Sequence, residues 1–178
     1  MDAIILRAAT PDDLPTITAI YAEAVLHGSA SFELTPPTEA EMGQRMEAIV
    51  AGGFPYLVAT LDGAILGYAY AGPYRTRPAY RFTVEDSIYL DASARGRGVG
   101  KRLLAALIAA CEARGDRQMI AVIGDSANQG SIRLHRSAGF EPAGLLKSVG
   151  WKHGRWIDSV LMQRALGVGD GEAAPDRR

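Results

Sequence analysis

The stretch YLDASARGRGVGKRLL, Tyr89–Leu104, joins the end of an apolar run to the start of a helical pattern. A helix start leaves backbone N–H groups unpaired and carries partial positive charge. Gly96, Gly98 and Gly100 let that backbone approach a ligand closely, and Arg95, Arg97 and Lys101 add full charge. Strand, glycine-rich turn and helix together make an anion site suited to phosphate. The Walker spacing fails here. Arg95 stands where its first glycine belongs, and Arg102 where Ser or Thr follows the lysine. The dinucleotide fingerprint fails too, because its third glycine falls at Lys101 or beyond. What remains is Arg95-x-x-Gly98-x-Gly100, which on its own is also compatible with a plain surface turn.

The segments around this loop set the fold class. AIILRAA is a short apolar run and a first strand. Thr10 as N-cap, Pro11 at the first helical position and Asp13 three residues after the cap start a helix. Leu14, Ile17, Ile20, Tyr21 and Ala24 form its apolar stripe. Thr38 and Glu41 make a capping box for a second helix, which Gly52 and Gly53 end. Then the period changes. YLVATLDGAILGYAYAG reads as two strands about Asp62-Gly63, and YRFTVEDSIYL as a third. After the glycine-basic loop come the helix GKRLLAALIAACEARG, the strand QMIAVIG and a short helix ending at Gly139. Two strands about His153-Gly154 close the pattern. The order β, α, α, three β, α, β, α, β, β predicts one mixed α/β (α+β) domain over residues 1–166. Residues 167–178 are Gly-rich and polar and read as a disordered tail.

Composition bounds the function. The chain has 178 residues and a net charge of −1, so no global field points to nucleic acid. No stretch approaches a membrane span, and the N-terminus lacks the basic and long apolar regions of a signal peptide, which predicts a cytoplasmic protein. Cys111 is the single cysteine, so it alone makes neither a disulfide framework nor a metal cluster. It reads as a small apolar residue on a helix rather than a nucleophile.

A second motif gives the loop its meaning. Arg95-x-x-Gly98-x-Gly100 resembles the acyl-CoA pyrophosphate loop of the GCN5-related N-acetyltransferases (GNAT). NQGSIRLHRSAGF, Asn128–Phe140, resembles the later helix of the same superfamily through Asn128, Ser131, Leu134, His135, Gly139 and Phe140. The resemblance implies a central, mostly antiparallel sheet flanked by helices and splayed between the strand ending near Leu90 and QMIAVIG. It implies acetyl-CoA as co-substrate and no metal. The pantetheine is expected on Ile88, Tyr89 and Leu90, as an added strand would sit. The pyrophosphate is expected on Arg95, Gly96, Arg97, Gly98, Val99, Gly100 and Lys101. Asn128 is expected to face the pantetheine arm, with Ser131 beside it.

Glu85 and Asp86 interrupt a β run. A buried carboxylate has a raised pKa and can serve as a general base, whereas at an exposed strand end both are simply solvated. Alternation puts the two on opposite faces, so only one is expected to face a given cleft. GYAYAGPYRTRPAYRFTVEDSIYL and GFEPAGLLKSVGWKHGRW resemble the phosphinothricin and methionine-sulfoximine N-acetyltransferases. That resemblance makes Glu85 the base and leaves His135 as acid, as second base, or as a helix-packing histidine. It implies a small amino-acid substrate contacting Phe32, Arg75, Thr76, Arg77, Glu85, Asp86 and Ser87. It also implies a homodimer in which Lys152 and His153 reach across the interface. Other readings are a GNAT enzyme for a different amine or a protein N-terminus, a non-catalytic acyl-CoA-binding module, and a nucleotide-binding protein.

Overall fold

The computed structural model describes residues 4–174. The strands are β1 (Ile5–Ala8), β2 (Tyr56–Leu61), β3 (Ala64–Pro73), β4 (Thr83–Leu90), β5 (Gln118–Gly124), β6 (Glu141–Lys152) and β7 (Arg155–Ala165). The helices are α1 (Leu14–His27), α2 (Glu39–Ala51), α3 (Val99–Arg114) and α4 (Gln129–Ser137). All strands form one sheet in the order β1-β2-β3-β4-β5-β7-β6. Every neighbouring pair is antiparallel except β4 and β5. The mixed, mostly antiparallel sheet expected from the sequence is therefore present, with its elements in the expected order.

Local chemistry explains the boundaries. Thr38 accepts from the Glu41 N–H while the Glu41 carboxylate accepts from the Thr38 N–H at 2.7 Å, the capping box that starts α2. The first helical signal is tighter than expected. Pro11–Asp13 form a 3-10 turn before α1, and Asp13 accepts a two-pronged bond from Arg7 at 2.7 Å on each arm. Asp62 and Gly63 both have positive φ, as do His153 and Gly154. Two successive residues in that region match the right-handed twist of flanking strands and close a two-residue hairpin.

The sheet carries a core on each face. On one, α1 and α2 bury Ile17, Ile20, Val25, Met42 and Met46 against Tyr56, Val58 and Tyr68. On the other, α3 buries Leu103, Leu104 and Leu107 against Ala69, Val84, Met119 and Phe140. β6 forms the sheet edge and is exposed along most of its length. Beyond β7, Leu166 is fully buried, and the Gly169 carbonyl of the following turn accepts from Arg117 at 3.1 Å. Of the sequence-predicted tail, residues 175–178 lie outside the described residues. Among the described residues no helix is long and apolar enough to cross a membrane.

The parting of β4 from β5 positions the site. They pair only from Thr83↔Gln118 to Asp86↔Ala121. β4 continues along β3 to Leu90, and β5 continues along β7 to Gly124. Each strand stays paired on its outer side, so the inner side opens.

Cys111 lies on the buried face of α3 with no exposed surface, and burial pushes its thiol up to about 12. The thiolate is the reactive form. Native protein should therefore leave Ellman's reagent unreacted until the chain unfolds, and fast stoichiometric release of chromophore from the folded protein would contradict this placement.

Candidate active site

Two clefts meet where the strands part. The lower one, about 640 Å³, is walled by Ile88, Tyr89 and Leu90, by the loop and first turn of α3, and by the start of α4. The upper one, about 610 Å³, is walled by β4 from Glu85 to Tyr89, by β5 from Ala121 to Gly124, and by the α1–α2 loop. Ala30, Ile88, Tyr89, Asn128 and Ser131 border both.

The lower cleft gathers most of the residues expected to hold the cofactor. Arg95, Gly96, Gly98, Gly100, Lys101, Asn128 and Ser131 all line it. Arg97 and Val99 do not; Arg97 is exposed outside the wall, and Val99 is fully buried in the core. The glycines divide by task. Gly96 and Gly98 have φ of 74° and 78°, with nothing within 4 Å of where a Cβ would stand. Their backbone is free for a ligand to approach. Gly100 is a packing glycine, since a Cβ there would meet Leu90 and Leu134 at 3.2 and 3.3 Å. A nest of N–H groups at the start of α3, flanked by Arg95 and Lys101, fits a pyrophosphate. Asn128 is the N-cap of α4. Its side chain accepts from the Ser131 N–H at 3.2 Å while it borders the cleft.

In the upper cleft the alternation of β4 holds, with an outcome the sequence reading did not anticipate. Ser87 pairs with Tyr70 on β3, and Tyr89 packs in the α1/α2 core, so Glu85 is on that face. Asp86 shares parity with Val84 and Ile88 and lies on the α3/α4 face. Yet both residues border the same cleft, although the Asp86 side chain itself is almost wholly covered. The gap between the strands opens the sheet from face to face, so opposite parity no longer separates them.

Asp86 is buried and bound to His135, Nε2 to Oδ2 at 3.0 Å, with both side chains nearly inaccessible. His135 Nδ1 lies 2.8 Å from the Ser131 carbonyl oxygen. That oxygen only accepts, so Nδ1 carries hydrogen. Burial opposes the positive charge of His135, but the Asp86 bond and charge together with the Ser131 carbonyl outweigh it, and its pKa is raised. Both ring nitrogens are thus engaged, one by the Ser131 carbonyl and one by Asp86. Asp86 Oδ1 has no hydrogen-bond partner among the described residues.

Glu85 is partly exposed to the cleft. Burial pushes its carboxyl above the usual range, Arg75 at 3.9 Å pulls it back, and Asp86 adds to the rise. Arg75 is the member of its loop that approaches Glu85. Arg75, Thr76 and Arg77 are exposed, and none of the three borders the upper cleft.

Several site residues were not found in the sequence. Tyr21 had been read only as part of the α1 stripe. It donates to Glu33 Oε1 at 2.9 Å, so its oxygen accepts from Ser31, also at 2.9 Å. Ser31 in turn accepts from the Glu33 N–H at 3.2 Å, and Arg45 holds Glu33 at 2.6 Å. Tyr70 and Ser159 complete the wall. Phe32, expected at the substrate, is on that wall and 42 % exposed. Among the described residues no group of three or more His, Cys, Asp or Glu is arranged to hold a metal ion.

Residues 20–140 match the acetyltransferase (GNAT) family. A phosphinothricin N-acetyltransferase of Alcaligenes faecalis is 56% identical over 168 residues, covering 94% of this chain and 85% of that one. An L-methionine sulfoximine/L-methionine sulfone acetyltransferase of Pseudomonas paraeruginosa is 43% identical, covering 90% and 94%. A crystal structure of a phosphinothricin acetyltransferase from Sinorhizobium meliloti in complex with acetyl-CoA superposes with a TM-score of 0.95 at 54% identity, covering 97% of this chain and 94% of that one. The chain belongs to the GNAT family and is an acetyl-CoA-dependent N-acetyltransferase.

Proposed function

We propose that the protein acetylates the α-amine of a small L-amino acid of the phosphinothricin, methionine sulfoximine or methionine sulfone type, with Glu85 as general base. The observation that carries this reading is the charge balance of the upper cleft. Its wall holds three carboxylates, Glu33, Glu85 and Asp86. Arg45 pairs with Glu33, and His135 pairs with Asp86. Glu85 is left as the half-open carboxylate, with Arg75 near it. A zwitterion fits that arrangement: an amine toward Glu85 and an acid group toward Arg75. The named activities of the relatives support the same substrate class.

The division of labour follows from the two clefts. Ile88 to Leu90 and the turn from Arg95 to Lys101 hold the acetyl donor, with Asn128 and Ser131 at the junction. The donor supplies the activated acetyl group at the point where the clefts meet. The backbone N–H groups of β4 beyond Asp86 that point away from β3 lack a β5 partner and are free to polarise a carbonyl there. Glu85 takes the proton that the amine sheds, and its raised pKa suits it to that transfer near neutral pH. His135 has both nitrogens engaged, so it acts by cancelling the Asp86 charge beside the base. We place the enzyme in the cytoplasm as a homodimer. The exposed apolar residues of the β6–β7 hairpin, Leu145, Leu146, Val149, Trp151 and Trp156, support the second assignment.

Glu85→Gln should lower kcat/KM by more than about tenfold and remove the acid limb of its pH profile. A loss under tenfold across about pH 6–9 rules Glu85 out as the base. Gly98→Glu should abolish acetyl-CoA binding; space for the new side chain is open, but φ of 78° strains any residue other than glycine, so circular dichroism must show the fold retained; normal affinity by calorimetry would sink the phosphate-site assignment. The third expectation concerns stability. Unfolded histidine titrates near about 6.5, and the folded value of His135 is raised. The pair therefore stabilises fully below about pH 6.5, and that contribution fades as pH rises through the folded value. Asp86→Asn should lower Tm more at about pH 6 than at about pH 9. An equal drop at both would mean that the imidazolium is not formed.

A further inference from the structure

The turn between β6 and β7 reaches back across the molecule to the loop that follows α1. Lys152 is 4 % exposed, and its Nζ donates to the Ser31 carbonyl oxygen at 2.7 Å. Among the described residues no carboxylate lies within 4 Å of that ammonium. The neighbouring His153 donates from Nε2 to the Gly28 carbonyl oxygen at 3.1 Å. Two residues before Lys152, Gly150 is what lets Phe32 lie down, because a Cβ there would stand 2.5 Å from the Phe32 ring. Arg155 begins β7 and binds Asp125, whose carboxylate also holds Ser29. Gly124 lies directly beneath the Ser29 and Ala30 carbonyls, which leave no room for a side chain.

These contacts converge on residues 28–32 from one hairpin end and one strand end. Burial lowers the pKa of Lys152 and the charge of Glu33 raises it; a buried ammonium that bonds a carbonyl and no carboxylate is costly, and a packing role alone would be served by an apolar side chain. What Lys152 does is fix the backbone at Ser31. That backbone carries Phe32 and the Tyr21–Ser31–Glu33 bonds that form one wall of the upper cleft. The lower cleft is bordered by Gly28 to Ala30 but not by Ser31, Phe32 or Lys152.

We propose that Lys152 is a positioning residue for the amine substrate: with Gly150 it clamps the α1–α2 loop so that Phe32 and Ser31 stand ready over the cleft, and it sets affinity for the amine and not for the acetyl donor. The inference rests on the functional reading above, in which the amine occupies the upper cleft.

Two variants test it, Lys152→Met and Gly150→Ala, each with methionine sulfone and acetyl-CoA as substrates. Amide hydrogen exchange over residues 28–33 reads the clamp without reference to turnover. Lys152→Met should speed exchange over that loop. It should raise KM for methionine sulfone by about tenfold while KM for acetyl-CoA and kcat stay within about threefold. Gly150→Ala, which leaves the Lys152 side chain unaltered and presses chiefly on Phe32 and less closely on Ile157, should raise the same KM in the same direction. Faster exchange with an unchanged amine KM overturns the proposal, because the clamp is then structural only. A parallel rise in both KM values overturns it as well. Where Lys152→Met does not accumulate as folded protein, Gly150→Ala decides, and an amine KM within twofold of wild type refutes the clamp. Failure of the functional reading would show differently, as absent turnover of methionine sulfone by the wild-type enzyme.

Discussion

β4 and β5 exchange backbone bonds from Thr83↔Gln118 to Asp86↔Ala121, and then they separate. Everything the enzyme does depends on that parting. A buried backbone N–H or C=O without a partner costs about 1–3 kcal/mol, so an open seam inside a sheet is unstable unless something else completes it. The outer pairings hold the seam open, since β3 keeps β4 to Leu90 and β7 keeps β5 to Gly124. The free backbone is what the proposed binding of the acetyl donor would use. An extended ligand arm can take the place of the missing strand, as peptides do at sheet edges.

The same gap resolves the placement of two adjacent carboxylates. In a closed sheet Glu85 and Asp86 would serve different faces. Here both reach one cavity, in different states. Asp86 is sealed with His135 into a pair of no net charge. Glu85 keeps some solvent and a distant arginine. Two acids one residue apart thus acquire separate tasks from their surroundings rather than from their chemistry.

The parts of this protein that are periodic or local were legible in its sequence. Element order, the Thr38 capping box, the Asp62-Gly63 hairpin and the glycine-basic turn are all set by neighbours in the chain. The parts that depend on distant contacts were not. Nothing near Tyr21 shows that its hydroxyl bonds to Ser31 and Glu33, because apolar spacing on α1 describes its ring and not its oxygen. Asp86 and His135 are separated by 49 positions, and only the fold brings them to 3.0 Å. Val99 carries the right number for the phosphate loop, yet helical geometry turns its side chain into the core. The arginines after Pro73 were read as a cleft lining, but the loop carries Thr76 and Arg77 away from the wall and leaves Arg75 at its margin.

The tyrosines and tryptophans are sorted by location in a way that bears on how this protein can be observed. Tyr70, Tyr56, Tyr68 and Tyr89 stack in that order at the α1/α2 core, with Tyr21 edge-on to Tyr89. Both tryptophans of the chain, Trp151 and Trp156, instead face each other on the exposed β6–β7 hairpin, their rings 5.2 Å apart. Intrinsic tryptophan fluorescence therefore reports the hairpin, whereas tyrosine absorbance reports chiefly the interior, since Tyr74 and Tyr80 on the loop after β3 stand apart from the other five. The two signals are separate optical windows on one molecule, one at its rim and one at its centre.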